Sequence, residues 1–276
     1  MIRRETLLTA LVLFSATVCL RSDEKPLIYA TIPDGLSQSE RQPLVDYLTS
    51  RLGRNVKLVT PESYDEVIAG LASGDIDFAC IGGVTYVRAR ARSRVIPLVQ
   101  RTSDLQFHSV FITGAETGIQ KLSDLVGKKF AYGDAHSTSG HVIPYLEIKR
   151  AGLNPNTDFS FRYTGSHPLT MKLVETGIAD AGAVDESVLT YMINTGKIDS
   201  NKIRVFYRSK PFVDYVWVAR SDVPTTMRSK FAQALLDLQE GKDERVLSAL
   251  RATKFIPAND DEYRDLRRAV HELNLE

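Results

Sequence analysis

The sequence predicts an α/β protein folded as two lobes. Short apolar runs alternate with amphipathic helical segments from Pro26 onward, and after Gly114 the same alternation begins again. At 276 residues and 43% hydrophobic composition, the chain can bury a substantial core. Strands that alternate with helices favour mainly parallel sheets, and ligands of open α/β sheets sit off the carboxyl ends of the strands. The residues just after each strand are therefore the first candidates for a site.

The first strand reads over residues 27–32 and ends at Pro33-Asp34-Gly35. Residues 43–52 place Leu44, Val45, Leu48 and Leu52 at helical spacing and stop at Gly53. A second strand covers residues 56–59, and Ser63 is a candidate cap for a helix over residues 64–71. A third strand over residues 76–81 closes at Gly82-Gly83, and residues 107–113 read as a strand near the edge of the first lobe. Beyond Gly114 come a strand over residues 129–132, a strand over 159–163 with a helix from His167, and a strand over 180–184 with a helix from Glu186. A strand over residues 215–219 precedes helices from Thr225, Glu244 and Asp260. Lobe one is thus expected over residues 26–113 plus 215–276 and lobe two over 114–214. Two crossings between them would form a hinge.

A formal net charge of +1 gives no field suited to nucleic acid or anionic lipid. Any anion site must be local. Two cysteines make no disulfide framework, and the five histidines are scattered rather than paired at metal-ligand spacing, so neither metal nor cofactor is expected. At the N-terminus, Arg3 and Arg4 precede an apolar run over residues 7–20, followed by a polar stretch. That run is too short for an ordinary membrane span and fits a signal-peptide core, so residues 1–25 are expected to be an export signal. Cys19 is a candidate lipid anchor, although Val18 stands where a small residue is expected. Removal of Cys19 with the signal would leave Cys80 alone.

The strongest site signal is Gly133-Asp134-Ala135-His136-Ser137-Thr138-Ser139-Gly140, which follows a strand and opens a helix. Three hydroxyls there stand beside the free N–H groups of a helical first turn, which with the helix dipole make an anion site. The same residues also read as an ordinary serine N-cap. Walker-type spacing is lacking, which argues against a nucleotide.

This segment, with Pro144 after it, resembles the signature of the substrate-binding proteins of phosphate/phosphite/phosphonate ABC transporters. Other segments agree in order: Tyr64 with Ile68 and Gly70, then Gly74-Asp75-Ile76-Asp77-Phe78-Ala79; Leu122-Ser123-Asp124-Leu125-Val126-Gly127-Lys128; Gly165-Ser166-His167; and residues 178–185. The resemblance implies a periplasmic-binding-protein-like (type II) fold with the ligand between its lobes. It implies ligand contacts at Ser137, Thr138, Ser139, His167 and Tyr64, and points to Asp185 and Asp214. The family often has a tyrosine where Phe107 stands here.

Read residue by residue, each of these has a plainer alternative. His167 at a helix start is either an anion partner or a capping surface histidine. Asp185 sits where a helix cap is wanted, and a carboxylate beside a dianion repels it unless a proton or an ammonium intervenes. Tyr64 is either a ligand contact or packed within its own lobe, with Tyr86 as an alternative aromatic. Cys80 is a small buried hydrophobe or, if the ligand were arsenite, a thiolate. Arg88, Arg90, Arg92 and Arg94, with Arg101 nearby, form either a solvated helix end or a basic patch for a membrane partner.

The function expected is capture of a small tetrahedral oxyanion in the periplasm by a monomer, without chemistry, and its delivery to an ABC transporter permease. A rival is a sensor signalling to a membrane histidine kinase. A hydrolase built on Ser137, His167 and Asp185 lacks a nucleophile-elbow sequence.

Overall fold

A computed structural model describes residues 25–275. The export signal expected over residues 1–25, with Cys19, lies outside the described residues apart from Lys25. Among the described residues no helix is long and apolar enough to cross a membrane.

The chain opens with β1 (Leu27–Thr31), α1 (Gln38–Leu52), β2 (Val56–Val59), α2 (Tyr64–Ser73), β3 (Phe78–Ile81), α3 (Gly83–Ser93) and β4 (Ile96–Arg101). Helix α1 begins before the expected residue 43 because Ser37 and Glu40 form a reciprocal capping box, and it ends at Gly53 in the left-handed conformation. Ser63 caps α2 by accepting from the Glu66 N–H. Strands β1, β2 and β3 pair in parallel. Late in the chain β10 (Val216–Ala219) and β11 (Phe255–Pro257) join this sheet, giving the order β11-β4-β10-β3-β1-β2. Helices α7 (Thr225–Leu236), α8 (Glu244–Leu250) and α9 (Arg264–Glu272) complete this lobe. Phe78 stacks on Phe231 at 4.1 Å, and the Trp217 indole N–H donates to the Tyr29 hydroxyl at 3.0 Å, tying α7 and β10 into the core.

The second sheet comprises β5 (Ser109–Gly114), β6 (Lys129–Tyr132), β7 (Ser160–Tyr163), β8 (Ala181–Asp185) and β9 (Ile203–Arg208), in the order β7-β6-β8-β5-β9. Between its strands lie α4 (Ile143–Arg150), α5 (His167–Glu175) and α6 (Glu186–Asn194). Two expectations are corrected here. The strand expected at the edge of lobe one is β5, and it pairs with β8 and β9 in the second sheet. The first crossing therefore falls before Ser109 rather than after Thr113. Its side chains explain the placement: Val110 and Ile112 pack into the cluster on one face of this sheet, and Phe111 into the cluster on the other. The sheets are also mixed rather than mainly parallel, because β10 enters the first antiparallel to β3 and β4, and β5 enters the second antiparallel to β8.

The crossings meet at Phe107 and Phe212, whose backbones exchange hydrogen bonds of 2.9 and 3.0 Å. The two rings lie edge to face, and Phe107 also meets the Tyr215 ring. Phe107, expected in the ligand site, packs at this crossing against the core of lobe one and also lines an open cavity with Ser187 and Arg251.

Gly182 in β8 is closely packed. A Cβ there would lie 2.8 Å from the Ala131 carbonyl oxygen and 2.7 Å from Thr170 Cγ2. Gly182→Ala is expected to destabilise the protein by about 1–3 kcal/mol, read as a lower urea midpoint. An unchanged midpoint would show that α5 and β6 have room to yield.

Candidate functional site

The Gly133–Gly140 loop closes on itself. The Gly133 N–H donates to the Gly140 carbonyl at 2.9 Å, and a Cβ on Gly133 would lie 3.3 Å from Gly140 Cα. Beyond the loop, residues Thr138–Val142 form a single π-helical turn that leads into α4, a wide-turn feature frequent at functional sites. The Ser137 Oγ accepts from the Gly140 N–H at 3.0 Å, so the cap anticipated as the plain alternative is present. The Thr138 and Ser139 N–H groups open the turn and have no partner within it. Ser137, Thr138, Ser139 and His167 are all buried.

His167 packs against this turn. A Cβ on Gly140 would sit 3.0 Å from His167 Cε1 and 2.9 Å from Ser137 Oγ, so glycine there admits the ring. His167 Nδ1 accepts the Asp185 backbone N–H at 3.2 Å. Burial lowers the imidazole pKa, which keeps the ring neutral, although the Asp185 charge opposes this. With Nδ1 an acceptor, the proton resides on Nε2, and Nε2 is buried without a partner. The site therefore presents a neutral imidazole N–H donor rather than a charged ring.

Asp185 caps α6: its Oδ1 accepts from the Ser187 N–H at 2.6 Å, the Ser187 hydroxyl at 2.7 Å and the Val188 N–H at 2.9 Å. Its Oδ2 is buried and open. Burial works against ionisation of this carboxyl, but the Arg251 charge and the cap bonds work the other way, and its pKa lies below the ordinary value. The Tyr64 hydroxyl lies beside Ser137 yet makes no hydrogen bond of good geometry, and it too is buried and open.

Asp214 lies on the facing lobe. Its Oδ1 accepts from the Gly83 N–H at 2.9 Å. Burial raises its pKa to about 7, with the Asp185 and Asp104 charges adding to the rise and the Gly83 and Thr138 hydrogen bonds opposing it. Thr138 is engaged between the lobes: its Oγ1 accepts from the Val84 N–H at 3.0 Å and it hydrogen-bonds the Asp214 carboxyl. Its hydroxyl proton is therefore directed at Asp214, and what Thr138 offers a ligand is its backbone N–H. Gly82 makes room for the bridge, since a Cβ there would meet Asp214 Oδ1 and Thr138 Oγ1 at 3.1 Å.

The other candidates lie elsewhere. Tyr86 donates to Asp260 at 2.5 Å and stacks edge-on with Tyr263 inside lobe one. Arg88 and Arg90 pair with Asp65 and Asp260. Arg101 is no surface cation, for it is buried against Asp104 at 2.6 Å with the Tyr215 and Trp217 rings beside it. Cys80 sits in β3 opposite Thr31 and Trp217 and lines a small cavity with Asp34, Arg101 and Arg251. Burial pushes its thiol far up, which works against a thiolate.

Sequence reasoning missed Asp34, Arg41 and Arg251. Asp34 follows β1 and is bound by Arg41 and, at 2.7 Å, by Arg251 Nη2. Its place at the carboxyl end of a strand was the available signal. Arg251, just past α8, carried none.

Comparison with known proteins agrees with this architecture. The chain is similar to the probable ABC transporter phosphite binding protein PhnD1 of Prochlorococcus marinus, with 26% identity over 92% of this chain and 91% of that protein. The crystal structure of that PhnD1 in complex with methylphosphonate superposes with a TM-score of 0.84 over 91% of this chain and 98% of the other. A binding-protein component of an ABC phosphonate transporter from Pseudomonas aeruginosa, 20% identical, shares the fold with a TM-score of 0.82 over 89% of this chain and 86% of its own. The tetrathionate sensor histidine kinase TtrS of Salmonella typhimurium is 26% identical over 50% of this chain and 24% of the kinase. The family model for the periplasmic substrate-binding protein of phosphonate ABC transporters matches residues 30–263. A mixed two-sheet fold and that match across most of the chain together place this protein in the family of periplasmic phosphonate-binding components of ABC transporters.

Proposed function

We propose that this protein captures a small tetrahedral phosphorus oxyanion, of the phosphonate or phosphite type, between its lobes and delivers it unchanged to a membrane permease. The observation that carries this is the set of three buried polar atoms without partners around the Ser137 turn: Tyr64 OH, His167 Nε2 and Asp185 Oδ2. Buried polar groups in folded proteins are otherwise satisfied, so these three atoms support the binding of a polar ligand beside the Ser137 turn. Two of the three are donors, and the Thr138 and Ser139 N–H groups add two more at the start of a helical turn. The third is an acceptor, which suits the P–OH of a monoanion better than a bare dianion.

The PhnD1 relative, solved with methylphosphonate, supports the ligand class. Contacts across the cleft support a clamp that closes over the ligand. Tyr191 and Lys197 of the second lobe both bind Glu40 of the first, and His136 Nε2 lies 3.0 Å from Asp65. A permease that recognises the closed form would read this arrangement of lobes.

What weighs against the hydrolase reading is the position of the proton. A His167 that carries its proton on Nε2 cannot act as base toward Ser137, and the bonded oxygen of Asp185 is spent on a helix cap rather than on the imidazole. The sensor reading rests on a likeness to one quarter of a kinase, and its arsenite form needs a thiolate that the burial of Cys80 disfavours.

Titration calorimetry with methylphosphonate tests the proposal. His167→Ala is expected to weaken binding on the order of 10- to 100-fold, the worth of one hydrogen bond to a charged group. Equal affinities would remove His167 from the site, and an absence of binding by the unaltered protein would overturn the ligand class.

Asp214 gives the binding a pH signature. A carboxyl with its pKa near 7 holds its proton below that pH and becomes an anion above it. A bound anion favours the neutral carboxyl, so affinity is expected to fall as pH rises through about 7. The ligand's own titration is common to all variants, so the contrast to measure is with Asp214→Asn. The profile of the unaltered protein should drop more steeply above pH 7. Parallel profiles would mean that Asp214 does not sense the ligand.

A further inference from the structure

We propose that the cleft holds a second, cationic subsite centred on Arg251, and that the preferred ligand is an organophosphonate whose substituent ends in a carboxylate. This rests on the reading that the phosphonate head occupies the site formed by the Ser137 turn and His167.

Arg251 is largely buried, with its side chain 14% exposed. Its Nη2 donates to Asp34, whereas its Nε and Nη1 are buried without partners. Asp34 is already bound by Arg41, so two guanidinium groups share one carboxylate and one positive charge is left over. That charge is near enough to act on both His167 and Asp185.

Arg251 also lines an open cavity of about 600 Å³. The ionic side chains around that cavity are Arg101, Arg208 and Arg251 against the single carboxylate of Glu186. Arg101 is held by Asp104 and Arg208 by Glu186, so Arg251 is the one of the three with buried open donors. Ser187 lines the same cavity and donates to Asp185, so the cavity begins where the oxyanion site ends. A substituent leaving the phosphonate head on that side meets Arg251 as the cation that is not fully paired. A carboxylate would accept from Nε–H or Nη1–H, satisfying donors that are otherwise desolvated and idle. An ammonium would meet like charge and have no acceptor on Arg251.

Calorimetry on the purified protein with methylphosphonate, phosphonoacetate and aminoethylphosphonate decides the matter. The unaltered protein is expected to bind phosphonoacetate at least about 10-fold more tightly than aminoethylphosphonate. Arg251→Met is expected to weaken phosphonoacetate binding on the order of 10-fold more than it weakens methylphosphonate binding, which loses only the charge acting on the oxyanion site; the methylphosphonate binding that remains also shows that the variant is folded. Where that variant does not fold, the preference of the unaltered protein decides alone. Preference for the amine, or equal losses for both ligands in the variant, would overturn the subsite while leaving the oxyanion reading intact. Failure of the unaltered protein to bind any of the three would overturn both.

Discussion

The site hangs on one hydrogen bond, from the Asp185 backbone N–H to His167 Nδ1. It joins the end of β8 to the start of α5, and it settles where the imidazole proton lies. An acceptor Nδ1 makes Nε2 the donor, and Nε2 is the atom left open toward the Ser137 turn. The same bond separates the tasks of Asp185: its N–H orients the histidine, Oδ1 caps α6 and Oδ2 stays open. Reversal of the tautomer would give a general base beside a serine. The bond as it stands gives a donor beside a helical turn.

Around this point, burial works on the neighbouring acids in opposite directions. Asp185 is held ionised by its cap donors and by the Arg251 charge, against the effect of burial. Asp214, with fewer donors and with Asp185 and Asp104 as like-charged neighbours, is driven toward neutrality. One acid accepts while the other keeps its proton, although both are aspartates in one cleft. The Thr138 bridge to Val84 and Asp214 ties the second lobe to the first at the same place.

The strand-to-helix junctions were readable because each is a local event. β2 and the Ser63 cap of α2 lie where the alternation of apolar runs and turn residues puts them. β4, β9 and β11 were not read: β4 carries Pro97, β9 is a half-exposed edge strand with Arg204 and Arg208 among its six residues, and β11 has three residues. Phe107 was read as a site residue from its position in a family pattern; its contacts at the crossing, with Phe212 and Tyr215, come from residues more than a hundred positions away and were not readable locally.

By itself the sequence determined what depends on neighbours along the chain: the strand-helix alternation, the glycine-bounded Ser-Thr-Ser turn, and the residue types needed for an anion. Tertiary structure decided what depends on partners far apart in sequence. β5 joins the second sheet because its two faces complete two cores. Thr138 turns its hydroxyl to the other lobe because Asp214, 76 residues away, stands there. Arg251 reaches the cleft because α8 ends against Asp34, more than two hundred residues earlier in the chain. Hydrogen bonds and charges act over ångströms, and only the folded chain sets those distances.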